Sequence, residues 1–227
     1  MNAPQPRVRQ VLVGRNAPLY AVTSGIDKHP VAGPHPVGWL GLRGDEQGDT
    51  RAHGGVDKAV HAYPWAHYAA WRAQHPGQPL FERPGAFGEN LSLEGLDEEG
   101  VCIGDVWRIG SVRLLLTQGR QPCFRLNLRF QRRDMAAQVQ QTLRTGWYFR
   151  VLEPGMVTAG DVPVLLQRPH PGYSVASLLA LIRDRVVDAQ QLAPVLDLPL
   201  PPSWRRLFAQ RLQTATVEDW TRRLDGA

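Results

Sequence analysis

Short apolar runs separated by glycine and proline fill residues 8–172, the texture of β-strands joined by tight turns. Val8 to Gly14 is the first run. Val101 to Ile109 and Val112 to Thr117 flank Gly110-Ser111, a two-residue connection suited to a hairpin. Trp147 to Leu152 and Val162 to Gln167 follow, and Pro163 makes the last an edge strand or one that begins later. Two helices interrupt the strands. One starts at Pro64 and carries Trp65, Tyr68, Ala69 and Trp71 on one face. The other starts with Asp134 as N-cap, spaces Met135, Val139 and Leu143 four apart, and ends before Gly146. Both stripes are read as core.

The period changes after Pro169-His170-Pro171-Gly172. Ser174 caps a run with Val175, Leu178, Leu179, Ile182 and Val186 on one side. Pro199 to Pro202 break it, and Ser203 introduces Trp204, Leu207, Phe208 and Leu212. Thr216 and Asp219 form an imperfect capping box before Val217, Trp220 and Leu224. The expected organisation is a mainly β domain over residues 1–172 and a small three-helix domain over 173–227. Three such short helices cannot bury their apolar faces alone, so they must pack on the β domain or on a second copy, which makes a homodimer an expectation.

Composition adds little to this picture. Apolar residues make up 43% and charged residues 21% of the 227, ordinary globular usage. No apolar run approaches the ~20 residues of a membrane span, and residues 1–14 lack a signal-peptide core, so a cytoplasmic protein is expected. Charge is more informative. The net +5 does not come from the tail, where seven Arg face six Asp and Glu from Gly172 onward. It lies earlier, with Arg120, Arg125, Arg129, Arg132 and Arg133 in a dense group, the last three read as a solvated face. The surplus favours an anionic partner: a phosphorylated cofactor, a nucleotide or nucleic acid.

Three stretches concentrate reactive side chains. Residues 44–58 hold Asp45, Asp49, His53, Asp57 and Lys58 around Gly54-Gly55, too polar to be read as core. Residues 85–91 set Glu89 and Asn90 beside a glycine-flanked Phe87. Residues 118–127 place Cys123 after a strand, between Arg120 and Arg125. Nearby cations favour the thiolate, the form that binds a soft metal or attacks an electrophile. Cys102, among strand-type apolar residues, is read as inert core. His53, His61 and His67 are spaced eight and six apart, matching no zinc pattern. No phosphate loop, dinucleotide fingerprint or serine elbow is present. An anion- or nucleic-acid-binding module stays open, although no aromatic-basic ladder accompanies the arginines.

In order along the chain stand Gly25-Ile26-Asp27-Lys28-His29-Pro30-Val31, Asp45-x-Gln47-x-Asp49, His53-Gly54-Gly55-x-Asp57-Lys58-Ala59-Val60, Phe87-Gly88-Glu89-Asn90-Leu91, Ile103-Gly104-Asp105 and Arg120-x-Pro122-Cys123. This series resembles the MOSC domain family, and with the helical tail its YiiM-type branch. The resemblance implies a β-barrel that binds the molybdenum cofactor (molybdopterin), with Cys123 as the molybdenum ligand or sulfur carrier. It also implies reduction of N-hydroxylated compounds such as hydroxylaminopurine base analogues, with electrons from a donor protein. A cofactor or sulfur carrier without catalysis is the alternative. Lys28, Arg120 and Arg125 would then neutralise the cofactor's charge. Asp49, His53 and Asn90 would read its ring edges or orient the cations, and His53 is the candidate proton donor. Gly119 stands before Arg120 where members of the family often have proline, so a more flexible loop is expected there.

Overall fold

The computed structural model describes residues 5–48 and 54–226. Thirteen strands are present among them: β1 (Arg7–Val13), β2 (Ala17–Leu19), β3 (Val22–Ser24), β4 (His29–Pro30), β5 (His35–Gly38), β6 (Gly41–Leu42), β7 (Val60–Pro64), β8 (Leu91–Glu94), β9 (Val106–Ile109), β10 (Val112–Gly119), β11 (Trp147–Glu153), β12 (Gly155–Val157) and β13 (Val164–Gln167). Eight of them form one sheet in the order β13-β9-β10-β11-β7-β8-β1-β4, antiparallel except for the β7/β8 pair. It curls into a half-barrel, with β12-β5-β6 as a second, three-stranded sheet. Beyond the sheet edge β1 meets the turn before β13, where Val8 N–H donates to Asp161 O (2.8 Å) and Gly160 N–H to Val8 O (2.8 Å).

The expected hairpin forms at Gly110-Ser111, with Gly110 at φ 59°. Pro163 acts as foreseen: β13 is an edge strand and starts at Val164. The strand expected from Val101 is shorter, because 101–105 form a turn in which Cys102 N–H donates to the Asp105 carboxylate. In β10 burial alternates from Val112 to Leu116 and then becomes continuous through Gly119. That change marks where helices cover the outer face.

Among the described residues, seven α-helices accompany the strands: α1 (Ala66–Gln74), α2 (Arg125–Phe130), α3 (Met135–Thr142), α4 (Val175–Arg183), α5 (Ala189–Leu192), α6 (Pro202–Thr214) and α7 (Thr221–Leu224). Helix α1 starts later than expected, because Pro64 continues β7 beside Leu93 of β8. Asp134 does not cap α3 with its side chain. Asn127 of α2 accepts the Ala136 N–H instead (2.7 Å), and Leu143 ends the helix in a left-handed conformation at φ 57°. Thr216 starts no helix; the Asp219 carboxylate accepts the Thr221 N–H (2.8 Å) as α7 begins. Ser174 does cap α4, accepting the Ser177 N–H (3.1 Å).

Two apolar clusters hold the chain together. The first runs from barrel residues such as Val11, Leu91, Leu116 and Phe149 directly into Val175, Leu178, Trp204 and Phe208, so the helical tail and the sheet share one core. At the rate of ~1.5–3 kcal/mol for burying each large apolar side chain, this shared core fixes the tail on the barrel. Arg211, fully buried, adds a polar pin: it ion-pairs with Glu218 and donates to the carbonyls of Leu181, Ile182 and Val186. The large exposed apolar residues among those described lie outside the helical tail, for example on β13 (Val164, Leu165), at the β5–β6 turn (Trp39, Leu40) and at Tyr20, Val56 and Met156. The second cluster is aromatic, with Tyr63, Tyr68, Trp71, Phe81, Phe87 and Phe130 around α1. No helix among the described residues is long and apolar enough to cross a membrane.

Candidate functional site

Cys123 stands in the short link between β10 and α2. Gly119 shapes the approach. A Cβ there would come within 2.9 Å of Leu179 Cγ, so the glycine lets α4 lie directly on the strand. It therefore serves close packing in a buried strand, not loop flexibility. The far side of the link is held by α7. Phe124 N–H donates to Arg223 O (2.8 Å), the Arg223 guanidinium donates to Pro122 O (2.6 Å), and Asn127 Nδ2 donates to Leu224 O (2.7 Å). The backbone on both sides of Cys123 is thus fastened to the end of the helical tail.

An open cleft of about 570 Å³ leads to the thiol, lined by Lys28, Asp45, His61, Asn90, Arg120, Arg125 and Tyr148 among others. Lys28 is deeply buried and ion-paired with Asp45, whose side chain is 1% exposed. The polar stretch 44–58 thus contributes a core carboxylate, contrary to its reading as surface: burying Lys28 demands a counter-charge. Asp45 also accepts from Gly14 N (2.8 Å), Gln47 Nε2 (3.2 Å) and Asn90 Nδ2 (2.9 Å). Asn90 donates further to Leu12 O (3.2 Å) and accepts the His61 N–H (3.0 Å). Both amide hydrogens are therefore used within the protein, and what Asn90 orients is Asp45 and, through it, Lys28. Burial pushes the Lys28 ammonium below its ordinary pKa, with Asp45 offsetting part of the effect.

Arg120 differs from Lys28. It is 6% exposed, has no carboxylate partner among the described residues, and its buried Nη1 has no hydrogen-bond partner. A buried guanidinium with no counter-charge among the described residues is costly, and an anion in the cleft would offset that cost. Its neighbours agree. Burial and then the Arg120 charge push the His61 pKa down to about 3, which keeps the ring neutral. Tyr148 lies opposite His61 in the β11/β7 register, with ring centroids 4.9 Å apart. Burial raises the Tyr148 phenol above its ordinary pKa, and the Arg120 charge and hydrogen bond partly offset this.

Of the residues given a site role in the sequence, Lys28, Asn90, Arg120, Cys123 and Arg125 line this one cleft, together with Asp45 and Lys58 of the polar stretch 44–58. Asp49 and His53 lie outside the described residues. Asp45, His61 and Tyr148 were not foreseen as site residues. Asp45 had a signal, the need of a buried lysine for an acid, whereas His61 and Tyr148 meet only through strand register. Glu89 lies behind the cleft, accepting from Tyr68 Oη and from the Gly85 and Phe87 N–H groups to hold the turn at Gly88. Arg129 is not solvated as read: it donates to Ala86 O (2.9 Å) and pairs with Asp27. Arg132 and Arg133 are exposed. Cys102 is buried away from the cleft, and burial raises its thiol pKa.

A half-barrel whose strand-to-helix link carries a cysteine into a basic cleft is the arrangement of a MOSC domain, and the chain belongs to that family: the MOSC domain model matches residues 49–163. The model "YiiM-like, 3-alpha helix domain" matches residues 174–215, which places the chain in the branch with that helical tail. The chain is 38% identical to "Protein YiiM" of Escherichia coli K12 over 205 residues, covering 89% of this chain and 91% of that protein. The crystal structure of YiiM from Escherichia coli superposes with a TM-score of 0.82 at 32% identity, covering 97% of this chain and 99% of that one. A protein of Gibberella moniliformis named "Reductase" is 38% identical over 195 residues, 86% of this chain. That match spans only 35% of the fungal protein.

Proposed function

We propose that the chain is a molybdenum-cofactor-dependent oxidoreductase that reduces N-hydroxylated compounds. The observation that carries this reading is Arg120, a buried guanidinium with no counter-charge among the described residues, in the cleft that ends at Cys123. The donor set fits the group: a thiol for a soft metal, and cations for the charge of the phosphate and dithiolene. The likeness to a protein named reductase supports the reaction class.

When bound, the cofactor supplies the two-electron redox chemistry. Cys123 would hold its metal, and Arg120 and Arg125 would bind its negative charge. Lys28 adds a cation whose position is fixed by Asp45 and Asn90. Its charge is already largely balanced, so Arg120 is the main anion-binding group. Cleaving the N–O bond of R–NHOH takes two electrons and two protons and gives R–NH2 and water. The electrons require a donor protein. Neutral His61 cannot act as an acid near pH 7, whereas the Tyr148 phenol keeps its proton there and lines the cleft. His53 remains the other candidate proton donor.

The test is molybdenum analysis with pterin fluorescence on protein from a cofactor-competent host, comparing wild type, Cys123→Ala and Cys102→Ala. Near-stoichiometric metal in wild type and Cys102→Ala, lost in Cys123→Ala, is expected. Wild type without metal or pterin after reconstitution refutes the reading. Loaded protein that does not turn over hydroxylaminopurine with a reduced donor is instead a cofactor or sulfur carrier.

A further inference from the structure

Cys123, Arg125 and Tyr148 also line a second, wider cleft of about 1650 Å³, open to solvent on one side. The helical tail builds its far wall with Trp204, Asp219, Arg222, Arg223 and Gly226. Its charge is one-sided. Arg125 and Arg222 have no carboxylate partner among the described residues, while the Arg223 guanidinium is held by Pro122 O (2.6 Å) and Gln140 Oε1 (2.5 Å) and adds its charge to the wall. The one acid, Asp219, already accepts the Thr221 N–H and hydroxyl (2.8 and 2.7 Å). Flat and amide surfaces stand beside these charges: the half-buried Phe124 ring, with the Arg125 guanidinium 5.3 Å from its centroid, and the side chains of Gln118 and Gln121. The Arg125 and Arg222 guanidinium groups suit a phosphate, and a ring with amides alongside suits a planar heterocycle.

We propose that the helical tail completes a second chamber next to Cys123, and that this chamber binds a nucleoside monophosphate moiety. The inference rests on the functional reading only in taking Cys123 as the reacting end; the chamber's charge and shape stand without it. Two sources supply the same chemistry: an N-hydroxylated nucleotide as substrate, or the nucleotide tail of a dinucleotide form of the cofactor.

Equilibrium dialysis of adenosine 5′-monophosphate with the whole chain tests this, with and without loaded cofactor, against Arg222→Ala. Arg222 is exposed, so its loss leaves the core intact. Sub-millimolar binding that is weakened about tenfold by Arg222→Ala, and much poorer binding of adenosine, is expected. Equal binding by loaded protein, with turnover preferring the 5′-monophosphate of the N-hydroxylated purine over its free base, assigns the chamber to substrate. Exclusion by loading, with a nucleoside monophosphate released on acid hydrolysis, assigns it to the cofactor. No binding, or binding that Arg222→Ala and the missing phosphate leave unchanged, overturns the proposal even if molybdenum is present. Binding by a wild-type chain that takes up neither molybdenum nor pterin on reconstitution overturns the functional reading alone.

Discussion

Asp45→Asn keeps the side-chain volume and removes the charge on which the buried lysine depends. Asp45 accepts from four donors: Gly14 N, Lys28 Nζ, Gln47 Nε2 and Asn90 Nδ2. An asparagine has one acceptor oxygen and turns an NH2 toward the remaining donors. The Lys28 charge then stays buried without a partner. Each orphaned buried donor costs ~1–3 kcal/mol, and breaking a buried ion pair costs ~3–5 kcal/mol in total. The two costs overlap, so the larger figure already contains most of the hydrogen-bond loss. A domain of this kind has ~5–15 kcal/mol of stability, so the variant should fold with a much lower urea midpoint. Urea unfolding followed by tryptophan fluorescence reads the loss directly. Adding Lys28→Met removes the orphaned cation and should restore about half of it. A loss under ~1 kcal/mol for Asp45→Asn, or no recovery in the double variant, would refute the claim that this pair is a buried, unscreened charge pair.

Three other outcomes follow from the same geometry. His61 titrates near 3 in the folded state against an ordinary 6.5, so the unfolded chain binds a proton the folded one refuses; stability should be complete above pH 6.5 and fall continuously as pH drops toward 3. His61→Gln should flatten that acid limb, and an unchanged slope would reject the assignment. Arg211→Ala should cost ~3–5 kcal/mol, by leaving Glu218 and three backbone carbonyls at and beyond the end of α4 without a donor, and hydrogen exchange should rise first in α4 and α6. Protection that is unchanged in those helices would contradict it. Arg223→Ala should free the Cys123 link and speed its alkylation by iodoacetamide severalfold while leaving Cys102 unaffected; equal rates at Cys123 would show that α7 does not hold it.

Local pattern settled much of this protein. Period-two runs and the Gly110-Ser111 turn specified the strands, because side-chain alternation and turn stereochemistry are properties of adjacent residues. The same holds for the Ser174 cap and for a thiol between two arginines. The sequence motifs carried the family as well. What folding alone decided are the meetings of residues far apart. Asp45 reaches Lys28, His61 pairs with Tyr148 across β7 and β11, Asn127 caps a helix other than its own, and Arg223 grips the link around a cysteine a hundred residues earlier. None of these is encoded by a neighbour. Each depends on strand register and on where the shared core seats the helical tail. For the same reason a polar stretch could bury its aspartate, and Arg129 could leave the solvent for the carbonyls of Gly85 and Ala86. Burial is a property of the assembled chain, and Asp45 and Arg129 enter the interior where tertiary structure brings them partners.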